Sequence, residues 1–338
     1  MEASSIVSRA RVVALPMRLR FRGIDTREAL LLAPAEDGEP WREWSPFVEY
    51  GDAEAAVWLR AALESMLDGP DPRTVRVNAT VPAVAPEAVP GVLARFPGAR
   101  TAKVKVAEPG QGLEADLERV RAVRDTMAAG SRIRIDANGG WSLAEATAAL
   151  ELLAEIGLEY AEQPVAEVAD LAELRRRLAG LVPIAADESI RKPADPIAVA
   201  RAGAADVFVL KHQPLGGTER AEAIVREVIA EAGPQVRFVT SSALETSVGL
   251  ASAARLAARI DALGGLGHGL DHGLDHGLGT AALLAADVTL APLVPVAGRI
   301  ALRDVRPDPE LLERHAAPPD RADWWRDRLR RCLALLTD

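Results

Sequence analysis

The chain has 338 residues, too many for one ordinary domain and few for three. Hydrophobic residues make up 49% and charged residues 26%, the balance of a globular chain with a large core. A net charge of −9, with acids and bases interspersed, argues against nucleic-acid binding, yet it leaves room for an anionic small molecule because a local field can oppose the global charge. The single cysteine, Cys332, excludes a disulfide framework. The opening MEASSIVSRARVVALPM has neither the long apolar run nor the cleavage site of a secretory signal. The most apolar stretch, 281–298, contains Asp287, Pro292 and Pro295, so it reads as core strand and turn and not as a membrane span. The expected location is cytoplasmic.

In chain order, RARVVALPM, EALLLAP and WREWSPFVEY are strand-like runs separated by turn residues. Asp52 is placed to cap a helix, AEAAVWLRAALESML, with Leu59, Leu63, Met66 and Leu67 on one face, and GPDP (69–72) ends it. From residue 75 short apolar runs alternate with helical segments. The runs are VRVNATV (75–81), AKVKVA (102–107), RIRIDAN (132–138), YAEQP (160–164), VPIAADES (182–189), DVFVLKH (206–212) and RFVTSSAL (237–244). Such a repeat predicts parallel βαβ units. Seven units and an eighth strand near 262–278 predict a closed barrel, which takes about 250 residues. The expected organisation is an α+β capping domain at 1–74, a closed α/β barrel at 75–290, and a segment at 291–338 that returns to the capping domain. Within 264–280, His268, His272 and His276 recur in an LDHG repeat whose glycines argue for a duplicated loop over a metal-binding helix.

In a parallel barrel, chemistry gathers at the C-terminal ends of the strands. The polar residues late in the predicted strands are Lys103 and Lys105, Asp136 and Asn138, Glu162, Asp187 and Glu188, Lys211, then Ser241 and Ser242. Alternation puts Lys103 and Lys105 on one face, and Arg134, Asp136 and Asn138 on another. If these faces point inward, three carboxylates meet several lysines at one mouth. Asp136, Glu162 and Asp187 repel one another unless a hard cation joins them, and an all-oxygen set suits Mg²⁺. A lysine beside that cation is expected to have a depressed pKa and to serve as a base. The chemistry that needs both is removal of a proton next to a carboxylate, with the metal stabilising the enediolate. Asn138 and Glu188 are expected to steer the ligands, and Arg134 to satisfy interior carboxylates. His212, on the opposite face from Lys211, reads as structural.

KVK, RIDAN, EQP, ADES and LKHQPLGG, in this order and at these intervals, resemble the muconate-lactonising subgroup of the enolase superfamily. WREWSPFVEYGD resembles that family's capping domain, and SSALETSVGL and HGLGT resemble its seventh- and eighth-strand segments. The resemblance covers most of the chain and implies a capping domain over a modified (β/α)7β TIM barrel, with Mg²⁺ on Asp136, Glu162 and Asp187. It implies that Lys105 takes the proton alpha to the carboxylate of a cyclohexadiene and returns it to the departing hydroxyl on the same ring face. Lys211 would stand opposite and stabilise the enediolate. Lys103 would orient Lys105 and hold the substrate carboxylate, and Ser242 and the backbone at Gly277 would contact a succinyl tail. Sister reactions with the same groups are racemisation of N-acylamino acids, dipeptide epimerisation and muconate cycloisomerisation. A mandelate-type racemase needs a histidine late in strand seven, which TSSALETS lacks. A silent barrel acting as a binding protein predicts damage to the charged set, and the set is intact. The expected partner is thus a small-molecule carboxylate, with no nucleic acid and no membrane.

Overall fold

The computed structural model describes residues 3–21, 24–64, 74–265 and 273–337. The first part contains α1 (Ala3–Ser8), β1 (Ala10–Phe21), β2 (Ile24–Leu32), β3 (Arg42–Trp44) and α2 (Asp52–Leu63). The strands form an antiparallel sheet in the order β1-β2-β3. Next come β4 (Thr74–Arg76), β5 (Ala79–Val81), α3 (Val89–Leu93), β6 (Thr101–Lys105), α4 (Leu113–Thr126), β7 (Arg132–Asp136), α5 (Leu143–Ala154) and β8 (Leu158–Glu162). They are followed by α6 (Val168–Leu178), β9 (Ile184–Ala186), α7 (Asp195–Arg201), β10 (Val207–Lys211), α8 (Thr218–Ala232), β11 (Arg237–Ser241) and α9 (Ser247–Gly265). The chain ends with β12 (Arg299–Ala301), α10 (Pro309–Arg314) and α11 (Pro319–Thr337).

Strands β5 to β11 make a parallel sheet in sequence order. Its two edges are joined by a very short element. His276 and Gly277 bridge in parallel to Val77 and Ser241. Asn78 N–H donates to the His276 carbonyl at 3.0 Å, and Gly277 N–H donates to the Thr240 carbonyl at 2.8 Å. The eighth strand predicted near 262–278 is therefore only these residues among those described, because α9 continues to Gly265. A side chain at Gly277 would meet Ser241 Oγ at 2.6 Å, which is why the seam takes glycine. The GPDP stop, Met66 and Leu67, and His268 and His272 of the repeat, lie outside the described residues.

Period-2 alternation decides what each barrel strand presents. Ala102, Val104, Ile133, Ile135, Phe208 and Phe238 pack outward against the helices. Tyr160, Val207, Val209, Val239 and Leu274 form a separate cluster inside the barrel. The lysines and acids sit on these same inward faces. Helix α5 starts as its sequence requires, with Ser142 and Glu145 completing a capping box.

Three local readings change. VRVNATV is two strands: β4 pairs antiparallel with β12, and only β5 enters the parallel sheet. The 281–298 stretch is not a strand; it begins in a 3₁₀ turn, Gly279–Leu283, and continues as irregular chain that buries Leu284, Val288 and Leu293. Asp52 does not cap α2, whose N-cap is Gly51. Its carboxylate instead accepts Arg331 Nε at 2.6 Å, which ties α2 to α11. Along that seam Trp325, Leu329 and Cys332 of α11 pack with Trp44, Trp58 and Leu59. Trp44 and Trp325 meet edge to face at 5.4 Å. Burying each such side chain contributes about 1.5–3 kcal/mol, enough to hold the returning C-terminal helix on the capping layers.

Candidate active site

The strand register delivers the expected groups to one level. Lys105 pairs with Asp136 across β6–β7, and Asp136 with Glu162 across β7–β8. Glu162 pairs with Ala185, so Asp187 follows two residues later on the same inner face. Asp136, Glu162 and Asp187 are 0%, 1% and 4% exposed, and Lys103 and Lys105 are each 9% exposed.

Each acid has an ammonium partner. Lys103 Nζ donates to Asp136 Oδ2 at 2.8 Å and to Glu162 Oε1 at 2.7 Å. Lys105 Nζ donates to Asp136 Oδ2 at 2.5 Å and to Asn138 Oδ1 at 2.7 Å. Lys211, arriving from β10, grips both oxygens of Asp187, with Oδ2 at 2.5 Å. The charges respond unequally. Burial pushes Asp136 up, but Lys103 and Lys105 hold it well below the usual carboxylate range. Burial likewise opposes ionisation of Asp187, which Lys211 and Arg191 reverse. Glu162 is pushed up to about 8, first by burial and then by the charge of Asp136. Burial works to lower Lys103, but Asp136 and Glu162 outweigh it and keep this ammonium well above its ordinary value. The depressed lysine expected beside the acids is thus not Lys103, which is a fixed cation bridging two carboxylates.

The remaining expected residues divide in two groups. Asn138 adopts φ +47°, a left-handed conformation that asparagine tolerates. Its N–H donates to Asp136 Oδ1 at 3.1 Å and its Nδ2 to Glu188 Oε1 at 3.1 Å, so it links the two carboxylates. Ser242 Oγ accepts from Thr280 Oγ1 at 2.6 Å and, with Gly277, walls a small cavity that Lys105 and Lys211 also line. Arg134 does not reach the three acids. It lies one level deeper, donates to Glu159 Oε2 and the Asp275 carbonyl at 2.5 Å each, and stacks over Tyr160 at 4.6 Å. It therefore braces the barrel interior and the closing segment. His276 also serves closure, its Nδ1 accepting from Thr240 N–H at 3.0 Å. His212 stands 3.6 Å from Glu64, away from the site.

Four contributors were not legible as such. Gln163 follows Glu162 and accepts from the N–H groups of Asp187 and Ser189 at 3.0 and 3.1 Å, shaping the loop that presents Asp187. Its signal was a polar residue directly after a candidate ligand. Phe47 lines the cavity from the capping side, and Tyr50 and Arg191 meet at 3.0 Å beside it. No local pattern marks those three, since their partners are remote in sequence.

The donor set suits a hard divalent cation. Three buried carboxylates end adjacent strands, and Glu162 keeps a raised pKa despite Lys103, the mark of an acid whose counter-charge is incomplete. In the present arrangement the acids turn toward lysines, and no group of three His, Cys, Asp or Glu side chains among the described residues is disposed around an ion.

A curled parallel barrel beneath an α+β cap, with acids on three consecutive strand ends between lysines on β6 and β10, defines a class. Sequence models of two domains match the chain: "Enolase N-terminal domain-like" at residues 12–66 and "Enolase C-terminal domain-like" at residues 92–307. The chain belongs to the enolase superfamily. It is 50% identical over 335 residues to the o-succinylbenzoate synthase of Mycobacterium ulcerans, covering 98% of this chain and 95% of that protein. It is also 50% identical over 336 residues to the o-succinylbenzoate synthase of Mycobacterium tuberculosis, covering 98% and 96%. Muconate cycloisomerase from Pseudomonas fluorescens has a similar fold, with a TM-score of 0.74 at 21% identity over 91% of this chain and 98% of that one. No helix among the described residues is long and apolar enough to cross a membrane.

Proposed function

We propose that this chain is a lyase that dehydrates 2-succinyl-6-hydroxy-2,4-cyclohexadiene-1-carboxylate to o-succinylbenzoate in menaquinone biosynthesis. The observation that carries the reading is the intact charged set in a chain half identical, over nearly its full length, to proteins of that name. Asp136, Glu162 and Asp187 would hold Mg²⁺, which supplies Lewis-acid stabilisation of charge on the substrate carboxylate. Lys105, as the free amine, takes the proton from the ring carbon bearing the carboxylate. The C–H electron pair enters the conjugated system as an enediolate. Lys105, now an ammonium on the same face, gives that proton to the hydroxyl as its C–O bond breaks. Water leaves, the ring becomes aromatic and Lys105 returns to the amine. Lys211 faces the same cavity from β10 and opposes the charge that develops on the substrate without moving a proton. Lys103, held by two carboxylates, keeps Asp136 ionised, and would help orient Lys105 and hold the substrate carboxylate. Ser242 and the Gly277 backbone face the succinyl arm.

Because Lys105 and Lys211 approach one cavity from different strands, proton transfer on opposite faces of a second substrate, an N-succinylamino acid, is a reading the same geometry supports. Purified protein with the cyclohexadiene and Mg²⁺ should lose diene absorbance and gain that of the aromatic product, with chelation stopping turnover. Undiminished turnover under exhaustive chelation refutes the metal assignment. A racemisation assay run in parallel decides the second reading.

A further inference from the structure

A line of contacts connects the capping domain to Lys105. Tyr50 lies just before α2, its ring packed against Phe47 at 5.9 Å and Trp58 at 5.7 Å. Its hydroxyl accepts from Arg191 Nη1 at 3.0 Å. Arg191, with a side chain 14% exposed, turns Nη2 onto Glu188 and stands 3.6 Å from Asp187 Oδ2. Glu188 Oε1 accepts from Asn138 Nδ2 at 3.1 Å, and Asn138 Oδ1 accepts from Lys105 Nζ at 2.7 Å. Every link is a side-chain polar contact, and the first member belongs to a different layer of the fold from the last.

Each link fixes the orientation of the next. A lysine stem is long and has many rotamers, so where its amine rests depends on an anchor. Asn138 is an anchor only if its carbonyl oxygen faces Lys105; flipped, it would present an NH₂ group to an amine that also donates. Glu188 sets that orientation by taking the Asn138 NH₂. Glu188 is in turn held by Arg191, whose Nε has no hydrogen-bond partner among the described residues. The two Nη groups alone therefore orient this guanidinium, and Tyr50 holds one of them.

We propose that Tyr50 and Arg191 are positioning residues that set the reactive orientation of Lys105 through Glu188 and Asn138, making the seating of the cap and the alignment of the base a single event. This rests on the assignment of Lys105 as the base. A second consequence is that a cap loop displaced from Arg191 leaves the barrel folded and the substrate bound but the proton transfer slow.

Tyr50→Phe tests this cleanly, since it keeps the ring and removes one oxygen. The expected result is a kcat lower by about threefold to tenfold with KM nearly unchanged, the signature of a misplaced reacting group. Circular dichroism and thermal unfolding should match the parent. Asn138→Ala combined with Tyr50→Phe should be no slower than Asn138→Ala alone, because both break one path. Arg191→Lys, which keeps the charge but cannot span Tyr50 and Glu188, should resemble Tyr50→Phe. A parental kcat in Tyr50→Phe, losses that multiply in the double variant, or a fully active Arg191→Lys overturns the proposal. Lys105→Ala, measured alongside, separates the two readings. Turnover retained there removes the base itself, whereas an inactive Lys105→Ala beside an unaffected Tyr50→Phe removes only the linkage.

Discussion

Magnesium binding should be coupled to a proton at Glu162. The carboxyl is 1% exposed and its pKa is pushed up to about 8 by burial and by the neighbouring charge of Asp136. Near neutrality most molecules lacking metal therefore carry a proton at a position the proposed cation would use. The cation has to displace it, and the apparent affinity falls with the fraction ionised. That fraction is about 1% at pH 6, about 10% at pH 7 and about 50% at pH 8, so affinity should rise roughly fifty-fold between pH 6 and 8. At pH 7 close to one proton, about 0.9, should leave per ion bound. Calorimetric titration of the purified protein with MgCl₂, repeated in buffers of different ionisation enthalpy, reads both quantities. Glu162→Gln should bind more weakly and lose most of the pH dependence. An affinity that stays flat from pH 6 to 8, with no proton released at pH 7, would falsify the assignment of Glu162 as a buried, proton-competed ligand.

The other expectations follow from the same coordinates. Lys105→Ala should lower kcat by at least about 10²- to 10⁴-fold, the usual worth of a general base, while the far-ultraviolet spectrum stays unchanged; substantial turnover would remove its role. In metal-free protein, Asp136 and Asp187 have lowered folded pKa values, so their stabilisation is present above their ordinary value of 3.8 and is lost as pH falls below it. Glu162 acts oppositely: the folded state holds the extra proton between 4.5 and about 8, so stability falls as pH rises through that range. Saturating Mg²⁺ should reverse the second trend, and denaturant melts at several pH values read both. Arg134→Ala strips the fully buried partner of Glu159 and should destabilise by about 3 kcal/mol; a loss under 1 kcal/mol would mean that Arg132, 3.2 Å from Glu159 Oε1, suffices. Gly277→Ala should raise KM and lower the melting temperature, because its methyl collides with Ser241 Oγ at the barrel seam; parental values for both would show that the seam relaxes freely.

What the sequence determined by itself was whatever depends on short periods. Alternation along a strand is strictly local, so spacing alone put Lys103 with Lys105 and Arg134 with Asp136 on shared faces, and the structure turns those faces inward. The parallel repeat of strands and helices was readable for the same reason. Tertiary structure decided the rest. Whether Val75 and Ala79 share one strand depends on β12, more than two hundred residues away, which takes β4 out of the parallel sheet. Barrel closure falls to two residues in a glycine-rich stretch whose local preference is weak, so only the edges of β5 and β11 select them. Arg134 and the acids share an inward face, and only depth in the barrel sends it to Glu159 instead. The pairing of Tyr50 with Arg191 joins residues 141 apart, through a contact that exists only once cap and barrel are packed. Backbone periodicity is written in neighbouring residues; the partners of long polar side chains are set by which surfaces meet.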